Sequence, residues 1–180
     1  MSLIFFRNKG NTSNVQAGHQ DPLPVAVIQQ SGEPDIVTTS RVYLTPSVTI
    51  PGIGTAAAYA AGDAFGTKFS FNVPVEGTIS NVVFIDYDDE GIRKDLVLFG
   101  ADFTATADNS AFNVSDADLK QALPVITIDL FYNFGANQLG QATPALSFRA
   151  PSRRLYCQLI TQGADNIAAG SIPELYLVIV

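Results

Sequence analysis

Residues 59–99 read YAAGDAFGTKFSFNVPVEGTISNVVFIDYDDEGIRKDLVLF, and this stretch decides the fold class. Phe65, Thr67, Phe69, Phe71 and Val73 alternate with Gly66, Lys68, Ser70 and Asn72, so an extended chain places aromatics on one face and small or polar groups on the other. Thr78 to Tyr87 follows, apolar in both registers at Val82, Val83, Phe84 and Ile85, the pattern of a strand covered on both sides. Leu96 to Phe99 is nearly continuous in apolar residues and reads as its pairing partner. Between them, Asp86-Tyr87-Asp88-Asp89-Glu90-Gly91 reads as an acidic hairpin turn in which Gly91 takes positive φ.

The same signals continue outward. Val42 to Leu44 and Val48 to Ile50 are short strands interrupted by Pro46 and closed by the turn residues Pro51-Gly52-Ile53-Gly54. Ala56 to Ala61 suits either one helical turn or an extended run. Ser115 with Asp118 three positions on forms an N-terminal helix signal, and the pattern predicts a helix of about two turns ending before Pro124. Val125 to Phe134 returns to strand, Leu146 to Arg149 is a short one, and Leu155 to Ile160 and Leu175 to Val180 are clear ones. Many short strands with Gly/Pro turns and one short helix predict a mainly β chain, a two-sheet antiparallel β-sandwich of jelly-roll type.

Residues 1–40 differ from the β-sandwich domain of 41–180 and read as an extended N-terminal arm. Pro22 and Pro24 flank Leu23 and hold that segment out of a central strand. The apolar start is too short to read as a signal peptide, and no run approaches the roughly 20 apolar residues of a spanning helix. Seventeen acidic against ten basic residues give a net charge of -7, which disfavours a nucleic-acid backbone as partner. Only 15% of residues are charged, so the surface is apolar enough for extensive burial against partners. A single cysteine, Cys157, rules out an intrachain disulfide framework and suits assembly in a reducing cytosol.

The chemistry-bearing residues are sparse. Nucleophilic catalysis by a triad needs a histidine base, and the one histidine, His19, falls in the arm. Cys157 alternates with Leu155 and Leu159 and reads as a core hydrophobe. The acidic turn resembles the opening of a calcium loop, but Val97 stands where the closing bidentate carboxylate belongs, so no metal is expected. Gly52-Ile53-Gly54-Thr55-Ala56-Ala57 matches a dinucleotide fingerprint outside any βαβ unit and reads as a turn; no cofactor is expected. Asp63, Asp86, Asp88 and Asp102 are the carboxylates available for sugar hydrolysis, with nothing in their spacing to favour it over loop acids. Arg149, Arg153 and Arg154 form the one basic cluster, suited either to an acidic partner or to a solvated strand entry. The chain is therefore expected not to be an enzyme.

Four features carry a family resemblance: the arm with Asp21-Pro22-Leu23-Pro24-Val25; Tyr59-Ala60-Ala61-Gly62-Asp63-Ala64-Phe65-Gly66; the strand Ile79 to Asp86 followed by Leu96 to Phe99; and Asn109-Ser110-Ala111-Phe112 leading into Ser115-Asp116-Ala117-Asp118. In this order they resemble tailed-bacteriophage virion structural proteins of the capsid cement or decoration kind. The resemblance implies a non-enzymatic β-sandwich on the outer capsid surface of the virion, assembled in the host cytoplasm. It would bridge major capsid subunits, with the arm residues His19, Asp21, Pro22, Leu23, Pro24 and Val25 as contacts, and would self-associate as a dimer or trimer. The alternatives are a neck or tail component, or a carbohydrate-binding jelly roll of phage-fibre or lectin-like type that stacks sugars on Tyr43, Tyr59, Tyr87 or Tyr132. No nucleic acid or membrane partner is expected.

Overall fold

The computed structural model describes residues 41–54 and 57–180, together with two short strands nearer the N-terminus. The chain divides into two units, Met1–Thr39 and Ser40–Val180. In the first, β1 (Phe5–Phe6) pairs antiparallel with β2 (Val15–Gln16). The arm contacts expected at His19, Asp21, Pro22, Leu23, Pro24 and Val25 lie outside the described residues.

The second unit is two antiparallel sheets around one core. Its strands are β3 (Tyr43–Leu44), β4 (Val48–Thr49), β5 (Ala64–Asn72), β6 (Glu76–Asp86), β7 (Lys94–Phe99), β8 (Ile126–Ile128), β9 (Leu130–Asn133), β10 (Gln138–Ala142), β11 (Leu146–Arg149), β12 (Arg154–Thr161) and β13 (Glu174–Ile179). The smaller sheet runs β5-β12-β7-β8. The larger runs β3-β13-β6-β10-β9, with β4 beside β3 on β13 and β11 beside β10 on β6. Counting β3 with β4 and β10 with β11 as single interrupted strands, this order is compatible with a jelly roll.

Alternation along β5 sends Phe65, Phe69 and Phe71 inward, where they meet Ile79, Val82 and Phe84 of β6, Leu96 and Leu98 of β7, Leu155, Cys157 and Leu159 of β12, and Leu175, Leu177 and Ile179 of β13. The Phe65 and Phe84 rings, one from each sheet, lie 6.4 Å apart. Burial of these side chains, each contributing about 1.5–3 kcal/mol, is the main force holding the sheets face to face. Cys157 is fully buried and its thiol is pushed up by that burial, in keeping with a core role.

Three expectations are corrected. First, β7 is not the partner of β6: it pairs with β12 and β8 in the opposite sheet. The acidic segment is a corner between sheets, because the buried Asp86 carboxylate accepts from the Asp88 N–H at 2.9 Å and the Gly91 N–H at 3.0 Å and bends the chain across the sandwich. Gly91 does take positive φ, 61°. Second, residues 125–134 are two strands, not one: β8 belongs to the smaller sheet and β9 to the larger, and the chain changes sheet at Asp129. Third, the helix is one turn, α1 (Asp116–Leu119). Ser115 caps it by accepting from the Asp118 N–H at 3.1 Å, as its sequence predicts. It ends early because Leu123 donates its N–H to the Leu98 carbonyl at 2.8 Å and Ala122 bridges Phe99, drawing the chain onto β7.

Candidate functional site

The outer faces of the two sheets are built differently. On the smaller sheet, Val97 and Phe99 of β7 with Tyr156 and Ile160 of β12 point outward into a second hydrophobic cluster. Phe103, Ala105, Phe112, Val114 and Ala122, all from the β7–β8 connection, cover them. Phe103 stacks on Phe99 with ring centroids 4.0 Å apart. Gln158, buried at the centre of this face, pins the cover: its Oε1 accepts from the Thr106 N–H at 3.1 Å, and its Nε2 donates to the Thr106 carbonyl at 2.7 Å and the Gly66 carbonyl at 2.9 Å.

On the larger sheet the outward positions follow from register. Phe131, Gly140, Phe84 and Leu175 form one inward row, so the rows on either side face out. One is Tyr132, Leu139, Ile85 and Glu174; the other is Leu130, Gln141, Val83 and Tyr176. Val178 with Leu44 makes a third, at the β3 edge. Among the described residues, none of Leu44, Ile85, Leu130, Tyr132, Leu139, Tyr176 or Val178 belongs to either hydrophobic cluster. Leu44 is 59% exposed, Leu130 51% and Tyr132 48%. Exposure on this face is greatest at its two edges: in the middle Val83 is buried and Ile85, Leu139, Tyr176 and Val178 are half-buried, and Asn81 shares the row of Val178. Beside its β9 edge, a cleft of about 470 Å³ is lined by Pro124, Val125, Leu130, Gln141, Pro144 and Leu146 among others.

The basic cluster is divided. Arg149 ends β11 in the larger sheet, opposite Glu76. Arg153 precedes β12 and Arg154 opens it in the smaller sheet, and with Tyr43, Asn72, Val73, Ser152 and Tyr156 they line a cleft of about 460 Å³. Arg153 sits at φ 56°. Of the tyrosines considered for sugar stacking, Tyr59 is buried, a correction to its reading as exposed. Its hydroxyl donates to Asp108 at 2.8 Å, and burial first, then Asp108, pushes its pKa up. Asp108 also accepts from the Gly54 N–H at 2.8 Å and the Gly66 N–H at 2.7 Å, holding the 51–54 turn and its tyrosine against β5. Tyr43 and Tyr132 stand on opposite edge strands and Tyr87 on the β6–β7 corner, so the exposed three do not form one platform.

The acids are engaged individually. Asp63 accepts from the Ala60 N–H at 2.8 Å, Asp88 from the Ala168 N–H at 2.5 Å, and Asp102 pairs with Lys68. Among the described residues no group of three or more His, Cys, Asp or Glu side chains is placed to hold a metal ion. One titratable pair was missed by the sequence reading: Lys94 donates to Asp165 at 2.8 Å, with side-chain exposures of 1% and 0%. Burial pushes Lys94 down and Asp165 up, each opposed by the other's charge, so both are driven toward their neutral forms. The signal for Lys94 was its alternation with Leu96 and Leu98 on the inward face of β7.

Comparison with protein-family models, with curated proteins and with solved structures finds no match to this chain.

Proposed function

We propose that this chain is a non-enzymatic virion structural protein of the capsid cement or decoration kind, which lies on the outer surface of a shell and bridges major capsid subunits. The observation that carries the proposal is the outer face of the larger sheet, where Leu44, Leu130 and Tyr132 are exposed and, among the described residues, lie outside both hydrophobic clusters on a protein of low charge. Exposed contiguous apolar surface of this kind marks protein contacts. A paired sheet offers it with little ordering cost, since its backbone is already fixed. Residues 1–40 supply a second contact by lying along a neighbouring subunit. Self-association as a dimer or trimer would use the same surface.

The test is copurification with intact particles. Wild-type protein should remain with particles through a gradient. The double variant Leu130→Asp, Tyr132→Asp should fold normally and be lost from them, and deletion of residues 1–40 should weaken retention. Folded double variant retained as well as wild type would remove the face from the proposal, and unchanged retention after the deletion would remove the arm. Imaging the particle separates a head position from the neck or tail.

The cleft of Tyr43, Arg153, Arg154 and Tyr156 favours a second reading, a carbohydrate-binding module of fibre or lectin-like type, since aromatic and guanidinium groups together suit an acidic sugar. Glycan-array binding that is abolished by Arg154→Ala would support it over the cement reading.

A further inference from the structure

Lys94 occupies an inward position of β7 that the alternation of Leu96 and Leu98 assigns to a hydrophobe, and Asp165 reaches it from the β12–β13 connection. The amine is held on two sides. Lys94 Nζ donates to Asp165 Oδ1 at 2.8 Å and to the Ile92 carbonyl at 2.7 Å. The rings of Phe65 and Phe84 close over it, with centroids 4.8 Å and 5.5 Å from Nζ. Asp165 Oδ2 is held by the Thr161 hydroxyl. A buried ion pair is a costly core element, because desolvation of two charges offsets most of their attraction. Those same surroundings make a good vessel for condensation: a dry site, an amine fixed beside a carboxyl carbon, and a hydrogen-bond donor on the oxygen facing away from the amine.

We propose that Lys94 and Asp165 join in an intramolecular amide bond between Nζ and Cγ, tying β7 to the β12–β13 connection. The step balances without a cofactor. A proton passes from the ammonium to Oδ1, giving a neutral amine and a neutral acid, the forms that burial favours. The Nζ lone pair adds to Cγ, and the negative charge that develops on Oδ2 is met by the Thr161 hydroxyl. A second proton from nitrogen passes to the Oδ1 hydroxyl, the Cγ–Oδ1 bond breaks, and one water leaves. The product has no charge to solvate. Burial of both side chains, 1% and 0% exposed, would also shield the amide from hydrolysis.

Intact-protein mass spectrometry of the full chain decides it. With N-terminal processing accounted for, wild type should be lighter than its sequence by one water, and Lys94→Met should have its full sequence mass. A tryptic digest should show no cleavage after Lys94 and a branched peptide joining Lys94 to Asp165. Wild type at full mass, with Lys94 freely cleaved, would overturn the proposal. So would a water deficit that persists in Lys94→Met, which marks a cyclic imide at Asp165-Asn166. Should Lys94→Met fail to fold, the wild-type mass and digest decide alone. Thr161→Val should slow the appearance of the lighter species after refolding; an unchanged rate would remove Thr161 from the step while leaving the bond to the mass measurement.

Discussion

The two sheets share one core yet treat their outer faces in opposite ways. The smaller sheet is closed over by its own β7–β8 connection, with Phe103 stacked on Phe99 and Gln158 hydrogen-bonded through the cover. The larger sheet turns Leu130, Tyr132, Leu139, Ile85, Tyr176, Val178 and Leu44 outward, and among the described residues neither cluster includes them. A polypeptide that can fold a connection over one sheet has the means to do so for the other. The difference puts a built-in cover on one side and, under the proposed function, the partner contact on the other.

The largest effects should come from breaking the cover. Phe103→Ala removes a buried ring from the second cluster and should destabilise the unit by about 3–5 kcal/mol in urea titration. Gln158→Leu is next, at about 1–3 kcal/mol, because it leaves the Thr106 N–H and carbonyl and the Gly66 carbonyl without their side-chain partner. Hydrogen exchange should then speed up over residues 103–114 and leave β6 and β13 unchanged. On the open face the order reverses: Leu130→Asp with Tyr132→Asp should shift stability by no more than about 1 kcal/mol while releasing the protein from particles. A large stability loss there would show that the face is core and erase the contrast.

The smallest effect should fall at the corner joining the sheets. Burial first, and then neighbouring carboxylates, Asp88 and Asp86 among them, raise the pKa of Glu90. A carboxyl raised in the folded state favours folding below its unfolded pKa, where both states are protonated, and that advantage is lost as pH rises through the folded value. Glu90→Gln should therefore raise the melting temperature slightly at pH 7, and the gap should close as pH falls through the ordinary glutamate range. Neither outer face should respond.

The strands of residues 64–99 were legible because alternation fixes which side chains enter the core, whatever the pairing. Pairing itself was not. The succession of strand, acidic turn and strand that suggested a hairpin is locally the same as a corner between sheets, and what separates them is where Asp86 is buried and which N–H groups it accepts. β10 escaped notice because Gln138-Leu139-Gly140-Gln141-Ala142 has weak strand composition. Its Gly140 is there for space, since a Cβ would meet the Phe131 ring at 2.8 Å. The open face could not be read ahead of the register that aligns its rows. Lys94 and Gln158 did leave a trace, each a polar residue at a position its strand assigns to burial, but their partners lie 71 and 52 residues away in sequence.

β13 lies between β6 and the β3 and β4 pair, and joins strands that have no ladder with one another among the described residues. During synthesis β3, β4 and β6 are made long before residues 174–179, and their shared neighbour arrives last. The larger sheet is thus completed late, by contacts spanning most of the domain, which is the arrangement that folds slowly. Until then the interior edge of β6 is an unpaired strand open to other chains. Timing of translation, as much as any contact in the finished molecule, sets how long that edge stays open.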